Sequence, residues 1–183
     1  MARSMVAAAW CGVAALALAG CAGSDGGTKV PVAGSFEIRA VSAESRVSEL
    51  PVGAECAQTL LALSESGWVC DDATSTGYLV EPASLTAAHV ATVAAGPSAQ
   101  SGSTNWSLRV TFTAMGATRF QELTKEASEA TPPATKVLML VDGEVVSAPN
   151  VMEPITGGNV MIALKGGEAE AEALAAAIEG SSG

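Results

Sequence analysis

The residues able to do chemistry are few, and their spacing decides most of what they can do. His89 is the single histidine among 183 residues, so any general base or imidazole ligand would have to be this one side chain. Set in an alanine-rich stretch, it reads as a surface or satisfied, partly buried residue. Asp71-Asp72 places two carboxylates in a loop beside Cys70, but a calcium loop needs more oxygen ligands at fixed offsets, so these read as solvated turn residues. Gly157-Gly158 would cradle a phosphate only ahead of a helix and a Lys-Ser/Thr pair; a strand-like run follows instead, and turn chemistry suffices. Glu168, Glu170 and Glu172 read as the solvated start of a helix. Neither a nucleophile with its base nor a metal set is assembled, so the chain is expected to be no enzyme and to carry no metal or cofactor.

The four cysteines carry more information. Met1 to Gly20 has one basic residue, Arg3, followed by an uncharged run rich in Ala, Val and Leu, which is the pattern of an export signal. Cys11 falls inside it and Cys21 directly after it. Cys56 and Cys70 remain, and two thiols in an exported chain are expected to pair. Their bridge would close a loop of about 15 residues, worth on the order of 3 kcal/mol. A metal pair is the alternative, though His89 is the only histidine and no further Cys is left to complete four soft ligands; a redox pair would normally be spaced Cys-x-x-Cys.

Nine basic against nineteen acidic residues give a net charge of −10, and loss of the leader removes only Arg3. So acidic a balance argues against nucleic acid and against a polybasic hold on anionic lipid. Beyond the leader, no apolar run approaches the roughly 18 residues of a transmembrane helix.

These groups must be held by elements the sequence also outlines. The densest signal is Lys136 to Leu164: an apolar strand at 137–141, Asp142-Gly143 as a type I′ turn, a returning strand at 144–148, and a third strand at 159–164 after Gly157-Gly158. Pro149 and Pro154 are expected to stop further ladder pairing. Phe36 to Val41 alternates as a half-buried strand with Glu37 and Arg39 outward. Cys56 to Leu63 suggests one or two helical turns, Gly77 to Val80 a strand ended by Pro82, and Leu85 to Val93 a short helix or a connecting loop. Trp106, Leu108, Val110 and Phe112 form one face of a strand that Gly116 breaks. A helix from Ala117 to Ala130 buries Phe120, Leu123 and Ala127, and a second from Glu168 to Glu179 turns Ala171, Leu174, Ala175 and Ile178 inward. Met139, Met152 and Met161 are expected in the core.

Two resemblances attach to these residues. Leu18-Ala19-Gly20-Cys21 resembles the lipobox of bacterial lipoproteins, which implies diacylation of Cys21 and anchoring on a membrane without spanning it. LVDGEVVSAP followed by EPITGGNV resembles the end of the first periplasmic domain of SecD, the export subunit of the Sec translocase. WSLRVTFTAMGATRFQE and GYLVEPASLTAAHV resemble two further segments of the same domain. Cysteines just ahead of such a Tyr-Leu-Val strand also look like the actinobacterial form of SecD.

The resemblance implies an α+β fold. A ferredoxin-like head, a small mainly antiparallel sheet with two helices on one face, would span 105–180. A small strand-containing base with the Cys56–Cys70 bridge would span 35–95, with a loop at 96–104, a tether at 21–34 and the leader at 1–20. It further implies a lipid-anchored module on the extracytoplasmic face of the cell membrane, without the proton-driven transmembrane motor. Its expected partners are the membrane and exported polypeptides or the Sec translocase. The alternative is an envelope scaffold or small-ligand-binding lipoprotein on the same fold, since fold does not set function.

Overall fold

The computed structural model describes residues 35–45, 61–98, 105–164 and 166–180. Among these residues, eight strands and two α-helices follow in the order β1 (Phe36–Val41), β2 (Gly67–Asp71), β3 (Thr76–Thr86), β4 (Val90–Pro97), β5 (Trp106–Phe112), α1 (Ala114–Glu129), β6 (Val137–Val141), β7 (Glu144–Ser147), β8 (Asn159–Ala163) and α2 (Glu168–Gly180). Every strand pair is antiparallel, and the strands form two sheets, β2-β3-β1-β6-β7 and β4-β5-β8. The fold is therefore α+β, with each helix packed against strands of both sheets.

Because side chains alternate along a strand, central strands serve two cores at once. On β6, Val137, Met139 and Val141 join Phe36, Ile38, Leu108, Val110, Phe120 and Ile178 in the main core. Leu138 and Leu140 point the other way, into a second cluster with Val41, Val69, Tyr78 and Val80. All five β6 residues are buried, each contributing about 1.5–3 kcal/mol. At the end of β5 the Phe112 ring meets Phe120 of α1, centroids 4.8 Å apart.

The sheets do not follow the expected division around residues 96–104. β4, on the expected base side, pairs with β5, whereas the β6–β7 hairpin joins β1 in the five-stranded sheet. The hairpin itself forms as its residues demand, with φ of 52° at Asp142 and 80° at Gly143.

Five local expectations are corrected. Pro82 does not end β3: it lies where the register slips between the pairs Val41–Val80 and Arg39–Ala83, so no ladder hydrogen bond is asked of it. Residues 90–97 are a strand, and 87–89 a single 3-10 turn. Gly116 sits inside the first turn of α1, which begins at Ala114 because Thr113 Oγ1 accepts from the Gly116 amide at 3.1 Å. Pro149 does not end pairing, since its carbonyl accepts from the Val137 amide at 3.2 Å. Leu61 to Leu63 lie outside any helix; the rest of the expected helical turns, Cys56 to Leu60, fall outside the described residues.

Two expectations about burial also change. Glu37 and Arg39 are buried, Arg39 completely, so the second face of β1 is covered and not solvated. Met139 is core, but Met152 and Met161 are 82% and 50% exposed.

Candidate functional site

The carboxylates, imidazole and glycines of the sequence do not converge on one point. His89 Nδ1 accepts from the Thr86 amide at 3.1 Å and caps the 3-10 turn, while its carbonyl accepts from the Thr113 amide at 2.9 Å. This imidazole serves its own backbone. Gly157 and Gly158 have φ of 88° and 68°, and the Gly158 carbonyl accepts from the Phe112 amide at 2.8 Å. Just before them, the Ile155 amide donates to the buried Thr124 Oγ1 at 3.0 Å. The glycine turn thus fastens the start of β8 to β5 and α1. Glu168 and Glu170 stand in the exposed first turn of α2, where the helix dipole favours them.

Asp71 ends β2, and its Oδ1 accepts from the Ala73 and Thr74 amides at 3.0 and 3.3 Å, shaping the tight β2–β3 turn. Cys70 precedes it on the same strand. Cys56 and Cys21 fall outside the described residues. Among the described residues no group of three or more His, Cys, Asp or Glu is placed to hold a metal, and no helix is long and apolar enough to cross a membrane.

What the fold does assemble is a groove along β7. This strand is the outermost of its sheet, with no strand on its far side among the described residues. The sheet coils enough to bring its other edge, β2, close to β7. An open cleft of about 680 Å³ runs beside Val145, Val146 and Ser147. Asp71, Ala73, Thr74 and Tyr78 of the β2–β3 hairpin wall one side. Ala163 and Leu164 after β8, with Glu170 and Leu174 of α2, wall the other. A smaller hollow of about 240 Å³, lined by Cys70, Asp71, Asp72 and Glu144, continues it between the two sheet edges.

The groove's polarity follows from these residues. Among the described residues, Asp71, Glu144 and Glu170 line it with three carboxylates, against one ammonium, Lys136, whose Nζ donates to the Ala148 carbonyl at 3.2 Å. Between them lie the apolar Val145, Val146, Leu164 and Leu174. Tyr78, buried at the groove wall, has its hydroxyl pKa raised above the ordinary 10.0, first by burial and next by the Asp71 charge. A concave site with apolar lining and a few placed charges suits binding.

Neither Tyr78 nor the free side of β7 was singled out by the chemistry-bearing residues of the sequence. The available signal was the shortness of the strand and the Ala148-Pro149 that follows, a pattern typical of a sheet edge.

The family described as SecDF, P1 head subdomain, matches residues 64–182. Protein translocase subunit SecD of Streptomyces coelicolor is 33% identical over 70 residues, covering 38% of this chain and 12% of that protein. A crystal structure of SecDF in a super-membrane-facing form is similar with a TM-score of 0.54 and 22% identity, covering 79% of this chain and 18% of SecDF. A second structure, of SecDF as a membrane component that enhances protein export, is similar with a TM-score of 0.55 and 22% identity, covering 80% of this chain and 62% of that one. The two structural likenesses concern the fold alone.

Proposed function

Because the chain belongs to the SecDF P1 head subdomain family, we propose that it is a non-catalytic binding module for protein export, tethered to a membrane. The observation that carries this reading is the family match across residues 64–182, together with an open groove beside a sheet edge that no described strand pairs with. On this reading the ligands are exported polypeptides on the extracytoplasmic face, and the Sec translocase is the machine it assists. An unfolded chain offers backbone amides and apolar side chains, which a strand edge flanked by an apolar groove can take up.

The tether belongs to the same proposal. Leu18-Ala19-Gly20-Cys21 would deliver a doubly acylated Cys21, and two acyl chains suffice for stable anchoring. The Cys56–Cys70 bridge belongs to the reading as well; that Cys70 is disulfide-bonded supports it.

The test is photocrosslinking in cells from positions 145–149 and, separately, from 157–158. Newly exported polypeptides or translocase subunits should be trapped from the β7 positions. Capture of neither would reject the export reading. Fatty-acid labelling that persists in Cys21→Ser would reject the anchor alone.

A further inference from the structure

The backbone geometry of β7, together with the charge around it, specifies what kind of segment the groove takes. In a two-residue hairpin the pair flanking the turn is hydrogen-bonded, and the next pair is not. Val141–Glu144 is the flanking pair and Leu140–Val145 the next. The Val145 N–H and C=O therefore face away from β6, into the cleft that separates β7 from the β2–β3 hairpin. Val145 also lines both the main cleft and its extension. On either side of this edge stand Asp71, Glu144 and Glu170, while Lys136 is drawn off to the Ala148 carbonyl.

We infer that β7 receives an extended polypeptide segment by strand addition, and that the carboxylates around the groove select segments carrying Lys or Arg. The inference rests on the binding-module reading above and adds to it the backbone contact and the charge of the segment. An added strand gives hydrogen bonds from every second residue only, because alternate amides of a strand point to opposite sides. β7 spans about 13 Å at roughly 3.3 Å per residue, so the contact involves about four residues. Ammonium or guanidinium groups on that segment then come within reach of Asp71, Glu144 and Glu170, and the apolar residues between them meet Val145, Val146 and Leu174.

The experiment uses the full chain and a labelled peptide alternating Val and Lys, read by fluorescence anisotropy. Methylating alternate peptide amides in one register should weaken binding about three- to tenfold per lost bond, and methylating the other register should not. Replacing Lys by Glu in the peptide should abolish binding, and Glu144→Lys or Glu170→Lys should each weaken the Lys peptide about fivefold. Val145→Pro should act like the damaging register, since its lost N–H is not one that β6 uses; the methylated peptides ask the same question of the unaltered protein.

Equal effects of both methylated registers, or Glu peptides bound as tightly as Lys peptides, would overturn the inference. So would a self-association that Val145→Pro abolishes, because the edge would then belong to a second copy. If β7 crosslinks still trap exported polypeptides in cells while these peptide effects are missing, the inference falls and the binding-module reading stands. If nothing is trapped, that reading falls as well.

Discussion

Ser35 and Asp142 hold each other by a reciprocal pair of hydrogen bonds: the Ser35 amide donates to the Asp142 carboxylate at 2.9 Å, and the Asp142 amide donates to the Ser35 carbonyl at 2.8 Å. The turn residue of the β6–β7 hairpin thereby fixes where β1 begins, 107 positions earlier in the chain. Asp142 also has a φ of 52°, which Asn tolerates and Ala does not. Asp142→Asn should keep stability within about 0.5 kcal/mol, because its amide oxygen still accepts from Ser35. Asp142→Ala should lose about 1–3 kcal/mol through the lost acceptor and the left-handed backbone together. Urea unfolding of both variants checks this, and equal losses would show that the carboxylate position plays no part.

Arg39 is the most demanding residue of the interior. Its Nε donates to Glu37 at 2.6 Å, one terminal nitrogen donates to the carbonyls of Glu65 and Glu81 at 2.7 and 3.1 Å, and the other to the Ala62 carbonyl at 3.0 Å. A single guanidinium ties β1 to the bulge of β3 and to the turn ahead of β2. Removing it leaves Glu37 buried without its partner, so Arg39→Met should cost about 3–5 kcal/mol. Glu37→Met combined with Arg39→Met should cost less than the two single changes added together, by about 1–3 kcal/mol. A double-mutant cycle measured by chemical unfolding gives the coupling. Strict additivity would mean that Arg39 acts through the carbonyls alone.

These two residues also show what the sequence could and could not convey. Asp142-Gly143 was legible because a two-residue turn depends on its own φ preferences. The stripe of Phe120, Leu123 and Ala127 was legible because helical spacing is local. The burial of Arg39 was not, since it depends on carbonyls more than twenty positions away in the chain. β4 was hidden for another reason. Its buried residues Val90 and Val93 lie three apart, a helical interval, because the register slips between Val90 and Thr92. The groove was least legible of all, because β2, β7 and α2 are distant in sequence and meet only when the five-stranded sheet coils.

Glycines at two junctions leave no room for a side chain. A Cβ on Gly116 would stand 2.3 Å from the His89 carbonyl oxygen, and one on Gly158 would stand 2.9 Å from the Ala117 Cβ at a φ of 68°. Gly96 in β4 has nothing within 4 Å of such an atom. Gly116→Ala and Gly158→Ala should therefore each lose about 1–3 kcal/mol, as overpacking does. Gly96→Ala should be neutral or slightly stabilising. Thermal unfolding of the three variants gives the order directly. A Gly116→Ala protein as stable as the parent would mean that the 3-10 turn and the start of α1 can separate freely.

Tyr78 is the single tyrosine in the chain, so its ionisation can be followed by tyrosinate absorbance without interference from another phenol. Its folded pKa lies above the ordinary 10.0, with burial the larger cause and Asp71 the next. The unfolded chain then loses this proton first as pH rises, and the folded chain holds more protons in that window. Stability contributed by Tyr78 is therefore intact below pH 10 and declines from there upward through the folded pKa. Tyr78→Phe should flatten this alkaline decline, and Asp71→Asn should lower the native titration midpoint while leaving it above 10, because burial persists. A native midpoint at the ordinary value would mean that the hydroxyl faces water, and with it that the groove wall is open where the fold closes it.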